Sequence, residues 1–183
     1  YQEGVSAGEF LLRKMGDREN VNIVELSGTL DSTPMLQRAQ GFRDTIAGHD
    51  GLKLIDSISG DFLRTKGREC MKLLLEKHPQ IDVLYSHNDA MTLGAISAME
   101  DAGIVPGRDI VIITVDGQQA AVDLLKAGRV NCVIECKPTI GDDVMALAKK
   151  LAAGEDIPRC TYSEEAVFTE FDADLQDIPP RGY

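Results

Sequence analysis

Cysteine, histidine and positive charge are all scarce in this 183-residue chain. Four thiols, Cys70, Cys132, Cys136 and Cys160, are too few for a disulfide scaffold. Cys132 and Cys136 would share one face of a strand yet stand too far apart to bridge, so buried apolar thiols are expected. His49, His78 and His87 complete no zinc-ligand spacing, and no metal is expected. Lys and Arg number 19 against 30 Asp and Glu, a formal net charge of -11. Such a chain repels phosphate backbones unless it carries a basic stripe, and no stripe occurs, which excludes nucleic acid as the expected partner.

Other absences narrow the field further. No apolar run approaches the ~20 residues of a membrane span, and no charged-then-apolar leader opens the chain. The first residue is Tyr1 rather than Met. This reads as a processed or trimmed product, so the missing leader carries no information on compartment. There is no G-x-G-x-x-G after a strand, no G-x-x-x-x-G-K-[ST] loop and no G-x-S-x-G elbow. Nucleotide-binding and serine-hydrolase readings therefore lack support, and no cofactor is expected. No internal repeat or low-complexity segment is present.

What remains is an ordinary globular balance, 43% hydrophobic and 27% charged. A chain of this size buries roughly 70% of its unfolded surface. Apolar periodicity alternates between two patterns. Short β-rich runs lie at Val21–Leu26, Leu52–Ile58, Ile81–Tyr85, Ile110–Val115 and Val130–Ile134. Helical spacing occupies a stretch ending at Glu9–Met15, then Pro34–Ala47 behind a Ser32-Thr33 cap signal, Phe62–Lys77, Ala90–Ala102 and Gln118–Ala127. Strands alternating with helices predict a parallel sheet covered on both faces, a doubly wound α/β domain. After Cys136 the rhythm changes: a helix at Ile140–Ala153, a turn at Gly154–Pro158, strand character at Thr161–Phe171. An extended tail, Asp172–Tyr183, carries Pro179-Pro180 and calls for a surface to lie on.

Ligands of open α/β sheets sit beyond the carboxyl ends of the strands. Here those ends are rich in hydrogen-bonding side chains, suited to a small polyhydroxylated molecule. Asn88, in Ser86-His87-Asn88-Asp89, offers an amide that donates and accepts as a sugar hydroxyl requires. Asn88 and Asp89 are also both good helix caps, with Asp89 the expected one. Asp116, before Gly117, is either a carboxylate for two hydroxyl protons or another cap. Arg38 presents a five-donor fork for vicinal hydroxyls, or an ordinary surface charge. Phe62 is either a ring for stacking on a sugar or the first core residue of the next helix. Glu135 stands at the end of the fifth strand.

The stretches Ile23-Val24-Glu25-Leu26-Ser27-Gly28, Gln37-Arg38-Ala39-Gln40-Gly41-Phe42, Tyr85-Ser86-His87-Asn88-Asp89-Ala90-Met91 and Val115-Asp116-Gly117 resemble those of periplasmic sugar-binding proteins of the ribose and galactose type. Ser59-Gly60-Asp61-Phe62-Leu63-Arg64-Thr65-Lys66-Gly67 and the Gly182-Tyr183 ending most resemble the galactofuranose-binding branch. The resemblance implies a type I binding-protein lobe. Residues 1–136 would form the second, C-terminal-type lobe. Residues 137–183 would supply a crossover helix, strand and tail that pack partly on a first lobe missing from this chain.

It further implies a solute-binding component of a carbohydrate ABC transporter, exported to the periplasm or another extracytoplasmic space, without catalysis. Its partners would be a monosaccharide (pentose or hexose, furanoses included), a membrane ABC permease and the missing lobe. Arg38, Asn88 and Asp116 carry over as polar ligand contacts, Phe62 as a wall and Glu135 as a further contact at the third crossover. Ribose-type relatives have a second binding Arg shortly before Arg38, where this chain has Leu36. The exposed lobe-facing surface predicts self-association of these residues alone. The alternative is the effector core of a lac-repressor-type transcription regulator. A sugar-modifying enzyme lacks a nucleophile–base pair or metal cluster.

Overall fold

The computed structural model describes residues 1–183. In chain order its elements are α1 Gln2–Met15, β1 Val21–Ser27, α2 Thr33–Ile46, β2 Leu52–Ser59, α3 Arg64–Lys77, β3 Val83–Ser86, α4 Asp89–Asp101, β4 Val111–Asp116, α5 Gln119–Lys126, β5 Cys132–Glu135, α6 Gly141–Ala152 and β6 Val167–Thr169, followed by a 3-10 turn at Leu175–Asp177. The six strands form one sheet in the order β2-β1-β3-β4-β5-β6. The first five are parallel and β6 runs antiparallel on β5. This is the doubly wound arrangement that the strand–helix alternation predicts.

Side-chain alternation along the strands divides the core into two layers. Val21 and Ile23 of β1 meet Phe10 and Leu11 of α1 and Phe42 of α2 on one face. Val24 and Leu26 meet Met71 and Leu74 of α3, Met91 and Met99 of α4 and Val122 of α5 on the other. Each such side chain contributes about 1.5–3 kcal/mol when fully buried. The pair α3 and α4 approaches to backbone contact: a Cβ on Gly94 would lie 2.0 Å from the Arg64 carbonyl oxygen. That contact fixes the start of α3, and with it the loop that carries Phe62.

Strand and helix boundaries fall within one or two residues of expectation, with informative exceptions. Phe62 does not begin α3, which starts at Arg64; Asp61 and Phe62 both adopt left-handed backbone, φ 52° and 60°, which ends any helical reading there. The strand expected over Thr161–Phe171 shrinks to Val167–Thr169, because β5 is only four residues long and offers three ladder positions. The tail finds its surface within the chain. Gln119 N donates to the Tyr183 carbonyl at 2.8 Å and Lys126 Nζ to the Ile178 carbonyl at 2.8 Å, while Leu175 and Ile178 pack on the core. Helix α6 is different: none of its residues is buried, and Val144, Met145 and Leu151 stand more than half exposed.

Candidate functional site

In this strand order the chain leaves β1 for β2 on one side and returns to β3 on the other, so the switch point lies between β1 and β3. Phe62, Asn88, Asp116 and Glu135 lie at or just beyond the carboxyl ends of β2, β3, β4 and β5, and Arg38, inside α2, reaches the same edge with its guanidinium. Asn88 Nδ2 donates to the Phe62 carbonyl at 3.2 Å. Arg38 Nη1 donates to the His87 carbonyl at 2.5 Å, and its Nη2 lies 3.7 Å from Asp116 Oδ1. Asp116 and Glu135 are partners in the β4–β5 register.

Arg38 is neither a surface charge nor an open fork. It is 4% exposed and is gripped by Glu3 of α1, with Nε donating to Oε2 at 2.6 Å and Nη2 to Oε1 at 3.0 Å. Burial works against both charges. The bidentate pair outweighs it, holding Glu3 below its ordinary range and Arg38 above its own. Three of the five guanidinium N–H groups are thus committed within the chain, and two remain for a ligand.

The Ser86–Asp89 run divides its work differently from expectation. Asn88, not Asp89, caps α4: its Oδ1 accepts from Met91 N at 3.0 Å. Asp89 is fully buried and instead pins the turn after β4, accepting from Thr114 Oγ1 and from Gln118 N, each at 2.7 Å. That turn needs pinning, since Asp116 sits at φ 122°, a conformation costly for a residue with a Cβ. Asp116 itself caps nothing and its side chain is 25% exposed. Burial pushes its carboxyl up to about 6 despite Arg38, and pushes Asp89 up to about 7 against the opposing hydrogen bonds from Thr114 and Gln118.

The tip of the Phe62 ring abuts Gly28, the residue after β1. A Cβ there would meet its Cζ at 1.9 Å, so only glycine admits the ring. Glu135 is the candidate most fully engaged by the chain. Its Oε1 accepts from Tyr183 OH at 2.7 Å and pairs with Arg181, while Oε2 accepts from Ala166 N at 2.9 Å.

Sequence reading missed Glu3, Arg181 and the structural roles of His87 and Asp89. Glu3 lies in no motif, and Arg181 reaches the edge only through the folded tail. Cys132 is buried as expected; Cys136 is only partly so and stands beside Glu3. Ligand atoms of Glu3, Cys136 and Glu165 lie within 4.8 Å of one another. Glu3 is already neutralised by Arg38, and burial together with Glu3 pushes the Cys136 thiol up to about 12, so the trio is poorly suited to a cation. A concavity of about 490 Å³ lies elsewhere, between α6 and residues 161–164.

A mostly parallel, doubly wound sheet with polar side chains gathered at its switch-point edge is the class of fold these residues form. The periplasmic binding protein domain family matches residues 1–156, and the chain belongs to that family. It is 32% identical over 170 residues to the galactofuranose-binding protein YtfQ of Escherichia coli, covering 91% of this chain and 53% of that protein. Identity to the ribose import binding protein RbsB of Salmonella typhimurium is 31%, over 84% of this chain and 50% of that one. A Mycobacterium smegmatis structure in complex with β-D-fucofuranose superimposes with a TM-score of 0.90 at 38% identity, covering 96% of this chain and 58% of that one. The binding protein of the arabinose ABC transporter of Shewanella sp. ANA-3, bound to α- and β-L-arabinofuranose, gives 0.88 at 32% identity, with 96% and 58% covered. The chain spans about half the length of the curated relatives it matches.

Proposed function

We propose that these residues bind a neutral monosaccharide at the strand-end edge, as one lobe of a two-lobed solute-binding protein that hands its sugar to a membrane ABC permease. The observation that carries the reading is the convergence of Arg38, Asn88, Asp116 and Phe62 on the β1–β3 switch point. Two free guanidinium N–H groups, an amide and a carboxylate complement hydroxyls that both donate and accept, and a ring against Gly28 offers an apolar face. Furanoses are favoured, because two relatives at or above 32% identity are described with bound furanoses.

Residues 1–136 make up the sugar-binding lobe. Residues 137–183 cross towards a first lobe and return, with β6 and the tail on this lobe and the apolar side of α6 left for the other. The protein works outside the cytoplasmic membrane, as its import-type relatives suggest, and forms or breaks no covalent bond. Names of import and ABC-transporter components among the relatives favour transport over an effector-sensing regulator.

Calorimetry of the two-lobed protein against a monosaccharide panel tests the reading. Saturable sugar binding is expected, and binding of amino acids or nucleotides without any sugar would overturn it. The 183 residues alone, offering half the contacts at about 1 kcal/mol per net hydrogen bond, should bind only in the millimolar range by NMR titration.

A further inference from the structure

We infer that Glu3 is the residue that restricts this edge to uncharged sugars: by occupying the side-on face of Arg38, while Asp116 faces the remaining N–H groups, it removes a two-pronged seat for a carboxylate or phosphate. The inference rests on the sugar-binding reading above and adds to it a determinant and an excluded class of ligand.

An anion is best recognised by two parallel N–H groups of one guanidinium. Arg38 has two such pairs, and the side-on one, Nε and Nη2, is spent on Glu3 Oε2 and Oε1 at 2.6 and 3.0 Å. A third N–H goes to the His87 carbonyl. The two that remain are on Nη1 and Nη2, and Nη2 lies 3.7 Å from Asp116 Oδ1, so a carboxylate already faces this side of the fork as well. A hydroxyl fits there, accepting from Arg38 while donating to Asp116. An anion can only accept, and would face the Glu3 and Asp116 carboxylates at close range.

The other well-buried guanidinium of the edge, Arg181, is likewise matched by a carboxylate, Glu135. Lys66, near Phe62, is paired with Asp61, and Arg64 stands exposed where water and salt screen it. No buried positive charge on this edge is left uncompensated. Glu3 is itself held in place, since its side chain is 16% exposed and α1 packs closely on α2: a Cβ at Gly4 would meet the Arg38 carbonyl oxygen at 2.2 Å. A structural ion pair alone would not need to be aimed at the ligand edge.

The test uses the 183-residue chain, 15N-labelled so that the Arg38 Nε–H resonance can be followed, and the variants Glu3→Gln and Glu3→Asp. Inorganic phosphate should leave that resonance unmoved in the wild type and in Glu3→Asp, which keeps the charge, and should shift it saturably in Glu3→Gln. In the two-lobed protein, D-galactose and D-galacturonate differ by one carboxylate, and Glu3→Gln should narrow the preference for galactose by about tenfold, as expected when one close like charge is removed. Circular dichroism checks that each variant is folded; an unfolded Glu3→Gln shifts the decision to whether wild-type protein excludes phosphate and galacturonate. Saturable phosphate binding to Arg38 in the wild type, or an unchanged galactose-to-galacturonate ratio in folded Glu3→Gln, would overturn the inference. If phosphate behaves as expected but no sugar in the panel binds, the sugar-binding reading fails and the assignment of Glu3 as a sugar-specificity residue falls with it.

Discussion

Replacing Glu25 with Gln should cost this fold several kcal/mol although it changes a single atom. Glu25 is 0% exposed in the middle of β1. Its carboxylate is ringed by Arg43 Nη1 and Nη2 at 3.1 and 2.6 Å, Ser57 Oγ at 2.5 Å and His87 Nε2 at 3.1 Å. Burial opposes ionisation, but bonds from His87, Arg43 and Ser57 outweigh it and hold the group at about 2. An ionised carboxylate only accepts, so Nε2 carries the imidazole proton and Nδ1 is left as the buried acceptor without a partner.

Two routes give the magnitude. The drop from 4.5 to about 2 corresponds to about 3 kcal/mol of stabilisation. Breaking a buried, hydrogen-bonded ion pair costs about 3–5 kcal/mol. For a chain of this length the melting temperature should fall by roughly 6–20 °C. The sign with pH is also determined. The Glu25 contribution is complete above about 4.5 and is lost as pH falls towards 2. His87, held below its ordinary value by burial, adds a second loss as pH falls through 6.5, where the unfolded ring takes up a proton more readily than the buried one. Scanning calorimetry between about pH 7 and pH 3 should show the steep acid limb in the wild type and a flattened one in Glu25→Gln. A variant melting within about 2 °C of wild type, with the same acid slope, would refute the reasoning.

Asn88→Ala should lower stability by about 1 kcal/mol through loss of the α4 cap as well as weakening sugar binding, whereas Asp116→Ala should weaken binding by about 1.5–3 kcal/mol with little loss of stability; paired melts and calorimetry separate the two. Asp116→Asn should not lower the melting temperature at neutral pH, because a carboxyl raised to about 6 by burial disfavours the folded state once ionised. Gly28→Ala should displace the Phe62 ring, cost about 1–3 kcal/mol and weaken binding, read by calorimetry of the same variant. Brief alkylation near neutral pH, followed by intact mass, should modify exposed Cys160 and spare buried Cys70 and Cys132 and the protonated Cys136.

The residues by themselves determined the alternation of strands and helices, and therefore the parallel sheet and the edge where a ligand belongs. Those signals are local: an apolar run such as Val21–Leu26 or a cap signal before α2 is legible within a few residues. The family resemblance drew on the same short stretches, and it singled out Asn88 and Asp116 at strand ends and Arg38 in the helix after β1. What only the tertiary structure decided is how those groups are partnered. Glu3 reaches Arg38 across 35 positions and Tyr183 reaches Glu135 across 48. Nothing local distinguishes Asn88 from Asp89 as the cap, because both favour it; the choice follows from Thr114 and Gln118 closing around Asp89. The departure of Phe62 from α3 follows from the glycine contact between α3 and α4 and from the ring's seat on Gly28. Charge pairing and close packing depend on which distant segments meet, and periodicity records only which face of an element is apolar.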